Sequence, residues 1–337
     1  MSVEIEHGGA LDRAIARFGG SAQDWLDLST GINPEHFPLP EFSPEIWNRL
    51  PDEGLLQTTL ALARRYYRIG ANAPIVAAPG TQALIQLMPM LAAPSTVAIL
   101  GPTYQEHAAA FAAANWNVVS CATIDDIPAS ATVAVIVNPN NPDGRVIARD
   151  ALLALANRLG ERGGFLVVDE AFADAHEAVS IACEAEAAPL VVLKSFGKFF
   201  GLAGIRLGFA VANADYTARL RLRLGPWAVS GPALAIANSA FANAAVLTDF
   251  RARIDLRRLA LSAVLERAGL TEVGGTALFS LVEHIDAHSL YNALCERHIL
   301  VRKFDYAPDW LRIGLALDDA ALARLEQALC DNVKLKY

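Results

Sequence analysis

The chain has 337 residues, of which 53% are hydrophobic and 19% charged, enough for a large core and, at this length, two domains. That balance excludes an intrinsically disordered chain, and a formal net charge of −8 argues against a nucleic-acid-binding surface. Cys121, Cys183, Cys295 and Cys330 are scattered without paired spacing, which points to a reduced, cytoplasmic protein and away from a metal site.

Met1 to Glu6 carry neither a basic n-region nor an apolar h-region, so no signal peptide is expected. Residues 1–35 read as irregular, with turn chemistry at His7-Gly8-Gly9 and Gly31-Ile32-Asn33-Pro34 and one apolar patch at 25–28. A helical pattern covers 55–67, after which strands and helices alternate. A strand at 75–78 turns through Pro79-Gly80-Thr81-Gln82 into a helix at 83–91. A strand at 97–100 is followed by Gly101-Pro102-Thr103-Tyr104 and an Ala-rich helix to 114. Strands at 118–120 and 133–137 come next, the second ending at Asn138-Pro139-Asn140-Asn141-Pro142-Asp143-Gly144. A helix at 149–161 leads to a strand at 165–168 ending at Asp169, and the run at 190–193 is a further buried strand. This rhythm predicts a mainly parallel sheet between helices. The apolar stretches 83–100 and 229–247 are interrupted by Gln86, Pro89 and Pro94, or by Asn238 and Asn243, and read as buried helix and strand rather than membrane spans. Beyond Asp215, helical stretches run to about 268. A strand at 277–282, a helix at 289–297, strands at 300–302 and 311–314, and a helix at 319–330 capped by Asp318 or Asp319 then suggest a smaller α+β unit. The expected domains are 35–230 for the large one, and 1–34 with 231–337 for the small one and its N-terminal arm.

In an open parallel sheet, ligands bind beyond the carboxyl ends of the strands, and chemistry-bearing residues fall there repeatedly. Gly80-Thr81-Gln82 opens a helix and could hold a phosphate. Tyr104 could stack on a flat ring; Asn141 and Asp169 follow two further strands. Ser195-Phe196-Gly197-Lys198 follows another, with Arg206 eight residues on. Each feature alone has an ordinary explanation: a turn, a helix cap, a packed tyrosine, a snorkelling lysine. Together they specify pyridoxal phosphate. Lys198 supplies an amine for a Schiff base, Asp169 an acid for the pyridine nitrogen, and Asn141 a donor to the ring oxygen. Gly80, Thr81, Gln82, Ser195 and Arg206 supply the phosphate cradle.

These motifs resemble the class I/II aminotransferase family, the fold-type I pyridoxal phosphate enzymes. The match lies in Asn-Asn-Pro-Asp-Gly at 140–144, Asp-Glu-Ala-Phe at 169–172, Ser-Phe-Gly-Lys at 195–198 and Gly-Ile-Arg-Leu-Gly at 204–208, in the family's order. Within it, His7-Gly8-Gly9, Ser29 to Pro34 and Pro226-Trp227-Ala228-Val229 look most like the threonine-phosphate decarboxylase branch. The resemblance implies Lys198 and Asp169 as catalytic residues with Tyr104 stacked on the ring. It also implies Arg312 on the substrate carboxylate, a cytoplasmic homodimer, and a small phosphorylated amino acid as substrate. The expected reaction is decarboxylation of L-threonine O-3-phosphate to (R)-1-amino-2-propanol O-phosphate for cobalamin biosynthesis. Transamination of a phosphorylated amino acid such as histidinol phosphate is the alternative, and a non-catalytic ligand-sensing domain ranks below both. For the substrate phosphate the candidates are His7, Gly31 and Asn33, with Arg302 and Lys303 next in line. Two positions depart from the family pattern. Phe172 stands where a tyrosine is usual, and Leu50, in Arg49-Leu50-Pro51-Asp52, replaces a tyrosine that reaches the neighbouring subunit's cofactor.

Overall fold

The computed structural model describes residues 7–333, so the expectation for Met1–Glu6 lies outside the described residues. The chain divides into two compact units, one of residues 37–141 and 145–248, the other of residues 1–36, 142–144 and 249–337.

The larger unit holds a seven-stranded sheet. Its strand order is Ile75–Ala78, Gly208–Ala212, Leu190–Ser195, Phe165–Asp169, Ala131–Val137, Thr96–Leu100 and Asn117–Cys121. From Leu190–Ser195 to Asn117–Cys121 every neighbouring pair is parallel. Gly208–Ala212 runs antiparallel to both its neighbours. The central strands are buried along their whole length and are rich in Val, Ile and Leu, as a sheet covered on both faces requires. Val97, Ile99, Val133, Val135, Val167, Val191 and Leu193 form one core with Leu84, Phe111 and Trp116. Each such side chain contributes roughly 1.5–3 kcal/mol by leaving water.

In the smaller unit the strand expected at 311–314 begins at Ala307, and 300–302 falls across Ile299–Leu300 and Arg302–Phe304. In the larger unit the expected strands agree with those observed to within two residues at each end, except that Gly208–Ala212 was not expected at all. Its sequence, Gly-Phe-Ala-Val-Ala, is poor in β-branched residues, and pairing on both edges makes it a strand. The helix expected at 83–91 is Thr81–Leu87 followed by a tighter 3-10 turn, Met88–Leu91, because Pro89 has no N–H to continue an α-helix. Residue 230, expected as a boundary, lies inside the larger unit. The following helix, Gly231–Ala242, is apolar nearly all round and packs on Glu53–Tyr66. The stretch expected as helix and strand over 229–247 is therefore helical, and among the described residues no single helix is long and apolar enough to cross a membrane.

The smaller unit is built on a four-stranded antiparallel sheet ordered Arg302–Phe304, Ala307–Gly314, Phe279–Glu283, Thr271–Thr276. The helices Ala287–Glu296 and Asp319–Asn332 belong to it, the second capped by Asp318, whose carboxylate accepts from Ala321 N at 2.8 Å. The segment expected as irregular contains a helix, Leu11–Phe18, whose buried Ala14 packs with Trp25, Cys295 and Leu300. A short strand, Leu26–Asp27, pairs in parallel with Ile299–Leu300. The strand Thr271–Thr276 escapes a reading of the sequence because Gly274 and Gly275 interrupt its pattern.

Those glycines have a reason. Gly275 N donates to Asp143 O at 3.1 Å, and a Cβ on Gly144 would lie 1.8 Å from Gly275 O. Gly144 also holds φ of +72°, so both the space and the backbone demand glycine. Gly144→Ala is therefore expected to lower stability by roughly 2 kcal/mol or more. A urea midpoint equal to that of the parent protein would contradict this close approach.

Candidate active site

In the larger unit, Asp169 ends its strand with only 3% exposure. A carboxylate held there needs donors, and it has two: His107 Nε2 lies 2.9 Å from Oδ2, and Ala171 N donates to Oδ1 at 3.0 Å. His107 sits in the first turn of the helix Glu106–Ala113 and is fully buried. Sequence reasoning missed it, although it follows Tyr104 by three residues in a segment that turns into a helix. The next residue after Asp169, Glu170, is buried as well and pairs with Lys194 Nζ at 2.5 Å.

Tyr104 is largely buried. Its hydroxyl donates to Gln82 Oε1 at 3.2 Å, and Gln82 Nε2 in turn donates to Glu106 Oε2 at 2.7 Å. Burial, reinforced by the charges of Glu106 and Asp169, pushes the phenol up to about 12, so it remains a neutral donor. The Gln82 side chain is thus engaged with Tyr104 and Glu106, leaving its backbone N–H as its contribution to a phosphate cradle.

The cradle itself is made of close backbone approaches. Gly80 holds φ of +85°, and a Cβ there would lie 2.6 Å from an Arg206 guanidinium nitrogen. A Cβ on Gly208 would lie 2.6 Å from Thr81 N. The absence of both side chains brings Arg206, Thr81 and the turn at Gly80 together. Ser195, at the end of its strand, is in register with Gly208. Lys198 follows in the short helix Phe196–Phe199, its Nζ 5.9 Å from the centre of the buried Phe172 ring. Asn138 and Asn140 hold the loop before residue 142. Asn138 accepts from Ile147 N at 2.8 Å, and Asn140 accepts from Thr103 Oγ1 at 2.6 Å and donates to Pro102 O at 2.9 Å. Asn141 is partly exposed, whereas Asn138 and Asn140 are buried. A buried acid, an amine, a half-buried aromatic hydroxyl and a glycine-lined cradle beside an arginine are the donor set a phosphorylated pyridine aldehyde needs, so pyridoxal phosphate fits these residues.

In the smaller unit, Arg312 is buried, its guanidinium 5.0 Å over the Phe279 ring and donating to Ser29 O at 2.7 Å. Ser29 was not expected as a site residue, yet it is the hub of this half. Its Oγ donates to Asp27 Oδ1 at 2.6 Å and accepts from Gly9 N at 2.7 Å. A Cβ on Gly8 would lie 2.3 Å from Ser29 O and 3.4 Å from Arg312 Nη2, which explains the glycines after His7. Arg302 is the cross-strand neighbour of Arg312 and shares its face. Lys303 pairs with Leu311 and so faces the other way, its Nζ 5.7 Å from the Tyr291 ring centre. A cavity of about 490 Å³ is lined by His7, Ser29, Arg302 and Lys303, with Arg13 and Arg17, so both basic residues of this strand reach it. Gly31 and Asn33 are buried, and Asn33 Oδ1 accepts from Glu35 N at 3.2 Å. Among the described residues no group of three or more His, Cys, Asp or Glu could hold a metal.

An open mixed sheet bearing a buried acid, an amine and an anion cradle at one edge defines the fold-type I class of pyridoxal phosphate proteins. The model of the family "Aminotransferase class I and II" matches residues 44–329, and the chain belongs to that family. It is 49% identical over 331 residues to a threonine-phosphate decarboxylase of a Sinorhizobium species, covering 98% of each chain. It is 42% identical over 329 residues to a threonine-phosphate decarboxylase of Pseudomonas aeruginosa, covering 96% of this chain and 97% of that one. The crystal structure of L-threonine-O-3-phosphate decarboxylase from Porphyromonas gingivalis shares the fold, with TM-score 0.74, 21% identity, and coverage of 90% of this chain and 97% of that one.

Two expectations follow from the geometry. His107→Phe should weaken pyridoxal phosphate binding roughly tenfold, as loss of a supporting hydrogen bond commonly does, while His107→Gln, which keeps an N–H donor, recovers most of it. Fluorescence titration of the cofactor-free protein measures this, and parental affinity in the Phe variant would remove His107 from the site. Burial, aided by the neighbouring Arg302 charge, brings the Arg312 guanidinium down to about 10. A buried cation held this way favours an anion beside it, so Arg312→Met should raise KM for a carboxylate substrate by roughly tenfold or more while leaving cofactor absorbance unchanged. A parental KM in that variant would show that Arg312 is not the carboxylate's anchor.

Proposed function

We propose that this chain is a pyridoxal 5'-phosphate-dependent decarboxylase of L-threonine O-3-phosphate, forming (R)-1-amino-2-propanol O-phosphate for cobalamin biosynthesis. The observation that carries the choice over transamination is the full-length similarity to two threonine-phosphate decarboxylases, at 49% and 42% identity. When bound, pyridoxal phosphate supplies an electron sink for the charge left on Cα as carbon dioxide departs. Lys198 would provide the amine for covalent attachment of the cofactor. Asp169 would oppose the charge of the ring nitrogen and so keep it protonated, and His107 would hold Asp169 in place for that role. Tyr104 would stack on the ring, Asn141 would donate to the ring oxygen, and Gly80, Thr81, Gln82, Ser195 and Arg206 would hold the phosphate.

On the substrate side, Arg312 takes the carboxylate. His7, Gly31, Asn33 and Arg302 would take the phosphate, and binding that remote group would orient the substrate for loss of its carboxylate. The face shared by Arg302 and Arg312 supports this assignment, since two neighbouring cations favour an anion beside them. Lys303, on the opposite face of its strand, lines the same cavity as His7 and Arg302 and stands next in line for the phosphate. The assembly that goes with this function is a cytoplasmic homodimer. Its support is the exposed Trp47, Leu50, Leu222 and Trp227 of the larger unit and the free thiols of all four cysteines.

The test is carbon dioxide release from L-threonine O-3-phosphate with no keto acid present. The expected result is stoichiometric gas and amine product, abolished in Lys198→Ala while the variant keeps its circular-dichroism spectrum. Turnover that demands a keto acid and retains the carboxyl carbon would replace decarboxylation with transamination.

A further inference from the structure

The larger unit contains a second buried charge pair that the reaction does not use. Glu170 and Lys194 have side-chain exposures of 0% and 3%, and their charged atoms meet at 2.5 Å. Both carboxylate oxygens of Glu170 are engaged: Oε2 also accepts from Ser180 Oγ at 2.6 Å, and Oε1 accepts from Ile181 N at 2.8 Å. Lys194 Nζ further donates to Ser180 Oγ at 3.0 Å and lies 4.9 Å from the centre of the Tyr67 ring.

Such a pair is weak evidence for stability, because desolvating two charges offsets most of their attraction, and apolar side chains often serve the fold as well. Its position is more informative. Asp169 pairs with Leu193 in parallel register, and the ladder continues one step as Glu170 N donates to Leu193 O at 2.9 Å. Glu170 and Lys194 are thus cross-strand neighbours on one face. Successive strand residues alternate, so Asp169 and Ser195 occupy the other face, one residue away on each strand. A slip of one residue between these strands would exchange the faces and withdraw both groups from the cofactor.

We propose that the Glu170–Lys194 pair is a positioning element for the cofactor site, locking the two strand ends so that Asp169 and Ser195 present together to the ring nitrogen and the phosphate. It rests on the cofactor assignment above. Ser180 reaches both members and ties the loop at 180–181 into the same lock.

The test compares Glu170→Gln, Lys194→Met and the double variant, which removes both charges and keeps the volumes. Each protein is followed by thermal unfolding, by fluorescence titration of its cofactor-free form with pyridoxal phosphate, and by the pH dependence of the bound cofactor's absorbance. The single variants should lose thermal stability, each leaving one charge buried alone. The double variant should regain most of that stability yet bind the cofactor about tenfold more weakly, with a displaced absorbance titration. A double variant with restored stability and parental cofactor affinity would overturn the proposal, leaving the pair a purely structural one. Should the double variant not fold, Glu170→Asp decides the matter. It keeps the charge but shortens the reach, and folded protein with weakened cofactor binding supports the lock while parental binding overturns it. A parent protein that binds no pyridoxal phosphate would overturn the cofactor assignment itself, a result distinct from any of these.

Discussion

Two carboxylates in succession, Asp169 and Glu170, are buried at the end of one central strand, and the larger unit is arranged around satisfying them. An ionised carboxylate away from water costs several kcal/mol unless it is paired and hydrogen-bonded. Because adjacent strand residues point to opposite faces, the two need separate sets of partners. His107, from the helix after the neighbouring loop, and Ala171 N serve Asp169; Lys194, Ser180 and Ile181 N serve Glu170. Helix, strand and loop are thus pinned to one point, and that point is the carboxyl edge of the sheet where Tyr104, Ser195 and Lys198 also emerge. The electrostatic need of the fold and the placement of the chemistry are the same constraint.

The smaller unit meets the opposite problem. Arg312 is a buried cation beside a second one, Arg302, and burial favours its neutral form. Two features make the charge tolerable: the face of Phe279 and the carbonyl of Ser29, against which Gly8 packs closely because it lacks a side chain. The same Ser29 ties down Gly9 through its hydroxyl, so the arm carrying His7 and the arginine are held by one residue. Cations kept in place by neutral groups and an aromatic face favour an anion beside them, which is why this half reads as a site for a carboxylate and a phosphate.

Much of this was legible in the sequence. The central strands are short runs of Val, Ile and Leu, and their ends could be read because polar residues stop each run: Asp169, Ser195, Asn138. Since ligands gather at those ends, Lys198, Asp169, Tyr104, Asn141 and Arg206 stand out by position and chemical type alone. Features whose signal lies in tertiary contact were not legible. The helix Leu11–Phe18 is different: its apolar stripe, Leu11, Ala14, Ile15 and Phe18, is in the sequence, but it spans only two turns between the pairs Gly8-Gly9 and Gly19-Gly20. His107 looks like one polar residue in an Ala-rich helix, and Lys194 like a charged end to an apolar run. Ser29 and Gly8 owe their meaning to a carbonyl and a guanidinium far away along the chain. The opposite orientations of Arg302 and Lys303 depend on a register that only pairing with Ala307–Gly314 reveals.

The most consequential strand missed was Gly208–Ala212, the one reversed member of the sheet's central run. Its direction is what brings Gly80, Thr81, Ser195 and Arg206 together. Because it runs antiparallel, its first residue lies at the edge where its neighbours end: Gly208 is level with Ala78 on one side and Ser195 on the other. Arg206, two residues earlier, holds φ of +54° as the chain leaves a 3-10 turn, and its guanidinium lies against Gly80. A parallel strand of the same five residues would begin at the far edge, about 13 Å away at ~3.3 Å per residue, and Arg206 would leave Gly80. The small residues that make this strand hard to recognise serve the same end. Gly208 has no Cβ to strike Thr81 N, so strand start and helix start meet closely, with Ser195 in register beside them and Arg206 two residues before. The feature that hid the strand from a reading of apolar pattern is thus the feature that lets these segments approach.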